Sequence, residues 1–263
     1  MNIRKSGLRF PLLLLLFCQT TERAFSDTLA TGSADRQKQS ALVASSFERY
    51  TPVSGQTGVL PSPNWNRETV DTARGADYLT EKERELIIEI NMLRTDPAMY
   101  TRHYLIPLRA YYEGNLLKYP GKIAMTTNEG VLALEECIRE LETTKPISPL
   151  SPQKGLVQAA RDHIKDQGVT GEIGHTGSDG SSLESRLNRY GKWNNSAGEN
   201  ISYGYDEARK IVVSLLIDDG VPSRGHRKNL LNKSFNFVGV DVGPHRLYKN
   251  MAVMEFAGAY ISQ

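Results

Sequence analysis

The stretch from Asp218 to Asn232, DDGVPSRGHRKNLLN, is dense in polar and charged side chains, yet it is clamped between the largely apolar run from Ile211 to Ile217 and the strand-like segment from Phe235 to Val242. A polar segment tethered so closely at both ends lies against the core, and a histidine in it, His226, is positioned rather than free. Two other stretches share this character: GHTGSDG from Gly174 to Gly180, and AGENIS from Ala197 to Ser202. Each sets one ionisable residue, His175 or Glu199, beside glycine, where the missing side chain lets backbones approach closely. The three stretches read as one site built from three parts.

In chain order, GHTGSDG, AGENISYG, SRGHRKNLLN, FNFVGVDVG and VMEFAGAY resemble the CAP superfamily, the domain of cysteine-rich secretory proteins, antigen 5 and pathogenesis-related-1, over roughly Leu79 to Tyr260. The resemblance implies an α+β fold, a three-layer α-β-α sandwich around a central, mostly antiparallel sheet. It also implies a surface cleft holding two histidines and two acids. By motif match, His175, Glu199 and His226 are three of these. The fourth, a glutamate in many animal members, falls on Leu216-Ile217-Asp218-Asp219, where Asp219 is the better match and Asp218 the alternative. Asn200 and Asn229 are the supporting polar residues.

Residues 1–26 read as a secretory signal peptide. Arg4, Lys5 and Arg9 start it, an apolar run from Phe10 to Cys18 follows, and Ala24-Phe25-Ser26 offers a small-x-small cleavage site. The run is short for a bilayer span, so stable membrane insertion is not expected and the product is secreted, extracellular or at the cell surface or periplasm. Removing the leader takes Arg4, Lys5, Arg9, Arg23 and Glu22, leaving 28 basic against 29 acidic side chains. A near-neutral surface gives no reason to expect nucleic acid as partner. Cys137 alone then remains, so no internal disulfide can form, as in bacterial-type rather than animal or plant members; it falls on the apolar face of an expected helix, as a buried small hydrophobe. Residues 27–78, rich in Ser, Thr, Gly, Ala, Gln and Pro, read as a flexible lead, with a short helix from Gln39 to Tyr50 and Trp65 as a candidate to dock on the domain. The folded domain is expected over 79–263.

Within it, Thr80 and Glu83 have the spacing of a capping box, followed by Leu86, Ile87, Ile90 and Leu93 on one helical face until Asp96-Pro97. An aromatic-rich connection from Met99 to Tyr119 follows; its tyrosines either pack or line a ligand entrance. Asn128 is expected to cap a second helix, Ser151-Pro152 to start a third that ends at Gly168, Ser181 and Glu184 to box a fourth, and Ser223 to cap a short helix carrying His226. Strands are expected from Ala197 to Tyr203, from Asn236 to Gly243 and from Asn250 to Tyr260, the last two as a hairpin. His163 reads as a hydrogen-bonded core histidine, His103 and His245 as surface residues, and Arg224, Arg227 and Lys228 as a solvated helix face.

Three functions fit these residues. The first is a non-enzymatic binding module whose His/acid cleft can hold Zn²⁺ and whose neighbouring groove takes a lipid or other small hydrophobic ligand. The second is a metal-dependent, protease-like hydrolase with zinc on the histidines and Glu199 as general base. The third is a structural or partner-binding extracellular protein in which the same polar residues only stabilise the fold. The chain has no H-E-x-x-H zinc motif, no G-x-S-x-G nucleophile elbow and no phosphate loop.

Overall fold

The computed structural model describes residues 63–263 in full and the backbone of residues 16–21. Most of the expected leader and of the lead up to residue 62 lies outside the described residues. The compact unit reaches back to Pro63 rather than beginning at Leu79. The helical turn Arg67–Val70 is capped by Asn66, Val70 and Ala73 are buried, and Asn91 Nδ2 donates to the Val70 carbonyl at 3.0 Å. The composition of 63–78 suggested a lead because its few apolar residues follow no period, but Trp65, Val70 and Ala73 pack on the core of the domain.

Helix α1, Glu81–Thr95, opens with the capping box: Thr80 Oγ1 accepts from the Glu83 amide at 3.3 Å and Glu83 Oε2 from the Thr80 amide at 2.6 Å. A helical coil over 97–111 and a small three-stranded meander over 112–126 form the aromatic connection. Helices α2, Val131–Thr143, α3, Lys154–Thr170, and α4, Leu183–Tyr190, follow. Then come α5, Ala208–Ile217, and α6, Gly225–Leu230. The strands are β1, Leu16–Thr21, β2, Gly191–Tyr203, β3, Phe237–His245, and β4, Lys249–Ser262.

The sheet runs β1-β2-β4-β3 in antiparallel pairs, and the short bridge Ser151–Pro152 adds a parallel edge to β3. Alternate residues of β4 divide the core. Ala252, Met254 and Phe256 face a cluster built from α1, α2 and α5, while Met251, Val253 and Ala257 face α3 and α4. The result is an α+β protein with helices on both faces of the sheet. Helix α3 lies directly on β3, because a Cβ at Gly239 would stand 2.1 Å from the Leu156 carbonyl carbon.

Several local expectations shift by a residue or a partner. Helix α3 continues to Thr170 and ends on Gly171 at φ 79°. Ser182 rather than Ser181 caps α4. Strand β2 starts at Gly191, with a bulge between Asn194 and Ala197. His245 is buried, not on the surface; its Nε2 meets the Glu172 carbonyl at 2.9 Å and its Nδ1 accepts from the Leu247 and Tyr248 amides. Arg224 and Arg227 are also buried: Arg224 pairs with Glu129 and Glu136, and Arg227 with Glu136 and Glu140 across to α2. Among the described residues no helix is long and apolar enough to cross a membrane.

Candidate functional site

Strand β2 carries the site because its successive side chains alternate between the two faces of the sheet. Glu199 points toward α4, and Asn200 toward α6. Gly198 keeps the approach open, since a Cβ there would come within 2.9 Å of the Phe235 ring and 3.2 Å of Asn229 Oδ1.

On the α4 side, the Glu199 carboxylate is fully buried and both of its oxygens are engaged. Oε1 accepts from His175 Nδ1 at 2.6 Å, and Oε2 accepts from Arg186 Nη2 at 2.5 Å. Burial alone would push this carboxyl up, but the hydrogen bond from His175 and the charge of Arg186 outweigh it and hold Glu199 well below the usual carboxylate range. Arg186 Nη1 also donates to the carbonyls of His175 and Ser181, at 3.0 and 3.1 Å, fixing the loop that presents the imidazole. His175 keeps 15% of its side chain exposed, so it stands at the rim.

Behind Glu199, directly opposite in the β2–β4 register, lies Glu255. It is fully buried beside the Glu199 carboxylate, and Arg186 Nε is 3.8 Å from its Oε1. Burial, reinforced by the Glu199 charge, pushes its carboxyl well above the ordinary value, so Glu255 is held as the neutral acid.

On the α6 side, Asp218 makes the matching arrangement. Its Oδ1 accepts from His226 Nδ1 at 2.6 Å and its Oδ2 from the His226 amide at 3.0 Å. The carboxylate thus does two things, capping α6, whose N-cap Arg224 gives no side-chain bond, and orienting the imidazole. Asp218 and Arg224 take left-handed φ of 56° and 51°, so the loop between them is bracketed by two non-glycine residues in a sparsely populated conformation. His226 is fully buried and its Nε2 has no hydrogen-bond partner. Asn200 Nδ2 donates to the His226 carbonyl at 3.1 Å and Asn229 Nδ2 to Asn200 Oδ1 at 2.9 Å, which ties α6 to β2.

Asp219, the better sequence match for the fourth acid, goes elsewhere. Its carboxylate accepts from the amides of Asn128 and Glu129, both at 2.7 Å, and so anchors the start of α2, whose own N-cap, Gly130, has no side chain to offer. Asp218 is the acid beside His226. The expected cap Asn128 instead donates to Asp219, from its amide and from Nδ2.

His175, Glu199, Asp218 and His226 thus form two imidazole–carboxylate pairs on either side of β2. A carboxylate on Nδ1 fixes the tautomer of a neutral ring and leaves the lone pair on Nε2, an arrangement suited to accepting a proton or a donor. It does not leave the carboxylates as ligands, because Glu199 and Asp218 each have both oxygens on protein donors. Among the described residues no three His, Cys, Asp or Glu side chains meet in a way that could hold a metal ion. The four-donor zinc set read from the sequence does not fit this geometry.

His163, as expected, is a buried core residue, with Nε2 bonded to the Gly174 carbonyl at 2.9 Å and its pKa lowered by burial. Cys137 is fully buried and its thiol is pushed up to about 12, again by burial. Sequence reasoning missed Arg186 and Glu255. The available signal was a single charge at each position, within the apolar face of α4 beside Leu187 and within the apolar run of β4.

A recess lies beside the site, under the meander, lined by Tyr112, Tyr119, Met125, Tyr205, Val213 and Ile217 and edged by Asp219; it offers about 50 Å³. One water needs roughly 10–15 Å³ on this measure, so the recess admits a few waters rather than a fatty chain.

The family model CAP, cysteine-rich secretory protein family, matches residues 90–256. The uncharacterized membrane protein YlbC of Bacillus subtilis (strain 168) is 29% identical over 143 residues, which is 52% of this chain and 39% of that protein. The chain therefore spans well under half the length of this curated relative. Among solved structures, an outer surface protein from Borrelia burgdorferi aligns with a TM-score of 0.37 at 22% identity, over 48% of this chain and 89% of that one. An extracellular protein containing a SCP domain from Bacillus anthracis str. Ames aligns at 0.35 and 27%, over 47% and 37% of the two chains. A cysteine-rich secretory protein from Staphylococcus aureus aligns at 0.33 and 19%, over 49% and 38%. With a family match that spans more than half of its length, the chain belongs to CAP, the cysteine-rich secretory protein family.

Proposed function

We propose that this CAP protein is secreted and acts outside the cell as a binding module, with the ligand taken between His175 and His226, and that it is not a hydrolase. The observation that weighs against the hydrolase with Glu199 as general base on a zinc-bound water is the engagement of both carboxylates: Glu199 and Asp218 are each fixed by two protein donors, so neither is free to take a proton from water or to ligate a metal. What such a cleft offers is a pair of rigid, oriented imidazoles, which select a ligand by hydrogen bonding. The lipid-carrier version receives less support, because the neighbouring recess would have to widen several-fold to reach the ~300 Å³ of a typical small-molecule pocket.

The test is native mass spectrometry of the secreted protein and of its His226→Gln variant, with a peptide- and ester-hydrolysis screen of both. The binding reading predicts a non-metal ligand mass that is lost in the variant, without turnover by either protein. Turnover that falls by about a hundredfold or more in the variant, the scale of lost acid–base or metal assistance, would overturn it. So would a stoichiometric zinc mass that disappears with His226.

A further inference from the structure

Helices α3 and α4 and the loop between them enclose a second hollow, a cavity of about 130 Å³ lined only by polar and charged side chains, to which neither His175 nor His226 contributes. At 10–15 Å³ for each water, it has room for roughly ten. One of its walls is His163, which is only 1% exposed. The ring's Nε2 lies 2.9 Å from the Gly174 carbonyl. A carbonyl only accepts, so the proton of the neutral ring sits on Nε2 and Nδ1 carries the lone pair. Burial lowers the pKa of His163 and favours that neutral ring. Its Nδ1 is buried and has no hydrogen-bond partner. Buried acceptors are rarely left so, because an unmade bond forfeits the solvation the atom had in water.

The charges around this acceptor do not balance. Three carboxylates, of Asp162, Asp166 and Asp179, line the cavity. Gly177 lets two of them draw together, since a Cβ there would stand 2.8 Å from Asp179 Oδ1 and 3.2 Å from Asp166 Oδ2. Arg189 bridges Asp162 and Asp179, at 3.1 and 2.7 Å. Asp166 receives only neutral donors, the amide and hydroxyl of Ser178. The other cation of the lining, Arg186, is spent on Glu199. One arginine thus answers three aspartates, and the cavity is left with an excess of negative charge beside an empty acceptor.

We propose that this cavity is a second binding site, separate from the cleft, that takes a small primary ammonium ion with one N–H donated to His163 Nδ1 and its charge balanced by the three aspartates. An ammonium group carries three donors and no acceptor, which matches a lone pair among carboxylates. A hydrogen bond with a charged partner is also about twice as strong as a neutral one. A bare metal ion fits less well, because among the described residues no three such side chains meet at one point.

The test is a titration of the folded chain, with ¹⁵N-labelled histidines, by n-propylammonium chloride at fixed ionic strength. Binding with a Kd of about 1 mM or below, read as a shift of the His163 Nδ1 resonance, is the expected result. Two controls separate charge from donor: tetramethylammonium has the charge without the N–H, and propan-1-ol a donor without the charge. Each should bind about tenfold or more weakly, the scale of a hydrogen bond to a charged group. His163→Leu should weaken n-propylammonium binding by a similar factor. Where that variant does not fold, Asp162→Asn decides, with a loss of about threefold or more expected for one partly exposed charge. No shift at His163 would overturn the proposal, because the cavity would then hold solvent alone. Equal binding of either control, or undiminished affinity in the folded variant, would overturn it too. None of these failures touches the reading of the cleft, which shares neither histidine with the cavity.

Discussion

Replacing Glu255 by glutamine isolates the least ordinary electrostatic feature of the site. The folded chain holds Glu255 as the neutral acid, because burial and the Glu199 charge oppose its ionisation, whereas in the unfolded chain the same carboxyl titrates near 4.3. Between those two values the native state binds one more proton than the unfolded state. Stability from this group is thus greatest below the unfolded pKa and falls as pH rises, by about 1.4 kcal/mol for each pH unit, until the folded pKa is reached. Glutamine has nearly the same shape and no proton to exchange. Glu255→Gln should therefore match the wild type near pH 4 and become more stable than it by about 1.4 kcal/mol per unit above about pH 5. Asp241 is raised to about 6 by burial and the charge of Glu83 and adds a slope of the same sign, but it does so equally in both proteins and cancels in the difference. Urea unfolding of both proteins at half-unit intervals from pH 4 to 8 reads the effect. Parallel stability curves would refute the assignment of a neutral Glu255.

Asp218→Ala leaves His226 buried without the acceptor for its Nδ1 and its amide and should cost about 3 kcal/mol. Asp219→Ala removes only a remote cap of α2 and should cost about 1 kcal/mol. Chemical denaturation gives the order, and the reverse order would restore Asp219 as the cleft acid. Arg94→Met deprives four carbonyls, of Ser148, Leu230, Asn232 and Phe235, of a buried donor; it should cost about 3–5 kcal/mol and loosen the segment after α6, which amide exchange would detect. A thiol-specific reagent should leave Cys137 unmodified in the folded protein and react with it fully in denaturant, because the thiol is buried and its pKa pushed up to about 12.

The parts of the fold that were legible in the sequence are those decided locally. The Thr80–Glu83 box, the apolar face of α1 and the alternation of β3 and β4 each depend on residues a few positions apart, and each stands where the spacing put it. The three glycine-flanked stretches meet at β2, where His175 bonds Glu199 on one face and α6 is tied to Asn200 through His226 and Asn229 on the other. What was not legible depends on direction or on distant partners. Asp218 and Asp219 are adjacent acids, and which one reaches His226 is decided by the left-handed φ of Asp218, a property of the whole loop. Asp219 then reaches α2 across about ninety residues of chain, a pairing that no local pattern encodes. Arg186 drew no attention in the sequence, because its partners Glu199 and Glu255 are brought under α4 only by the sheet. Arg224 and Arg227 looked solvated until α2 brought Glu129, Glu136 and Glu140 alongside. His245 looked like a loop residue because its acceptor, the Glu172 carbonyl, lies in a distant turn.

The central claim is that His175 and His226 are each held by a carboxylate at Nδ1. Long-range ¹H–¹⁵N correlation spectra of the histidine-labelled protein, assigned with His175→Gln and His226→Gln variants, read this directly. The account predicts that both neutral rings carry their proton on Nδ1. A ring protonated on Nε2 alone, at either position, would contradict it.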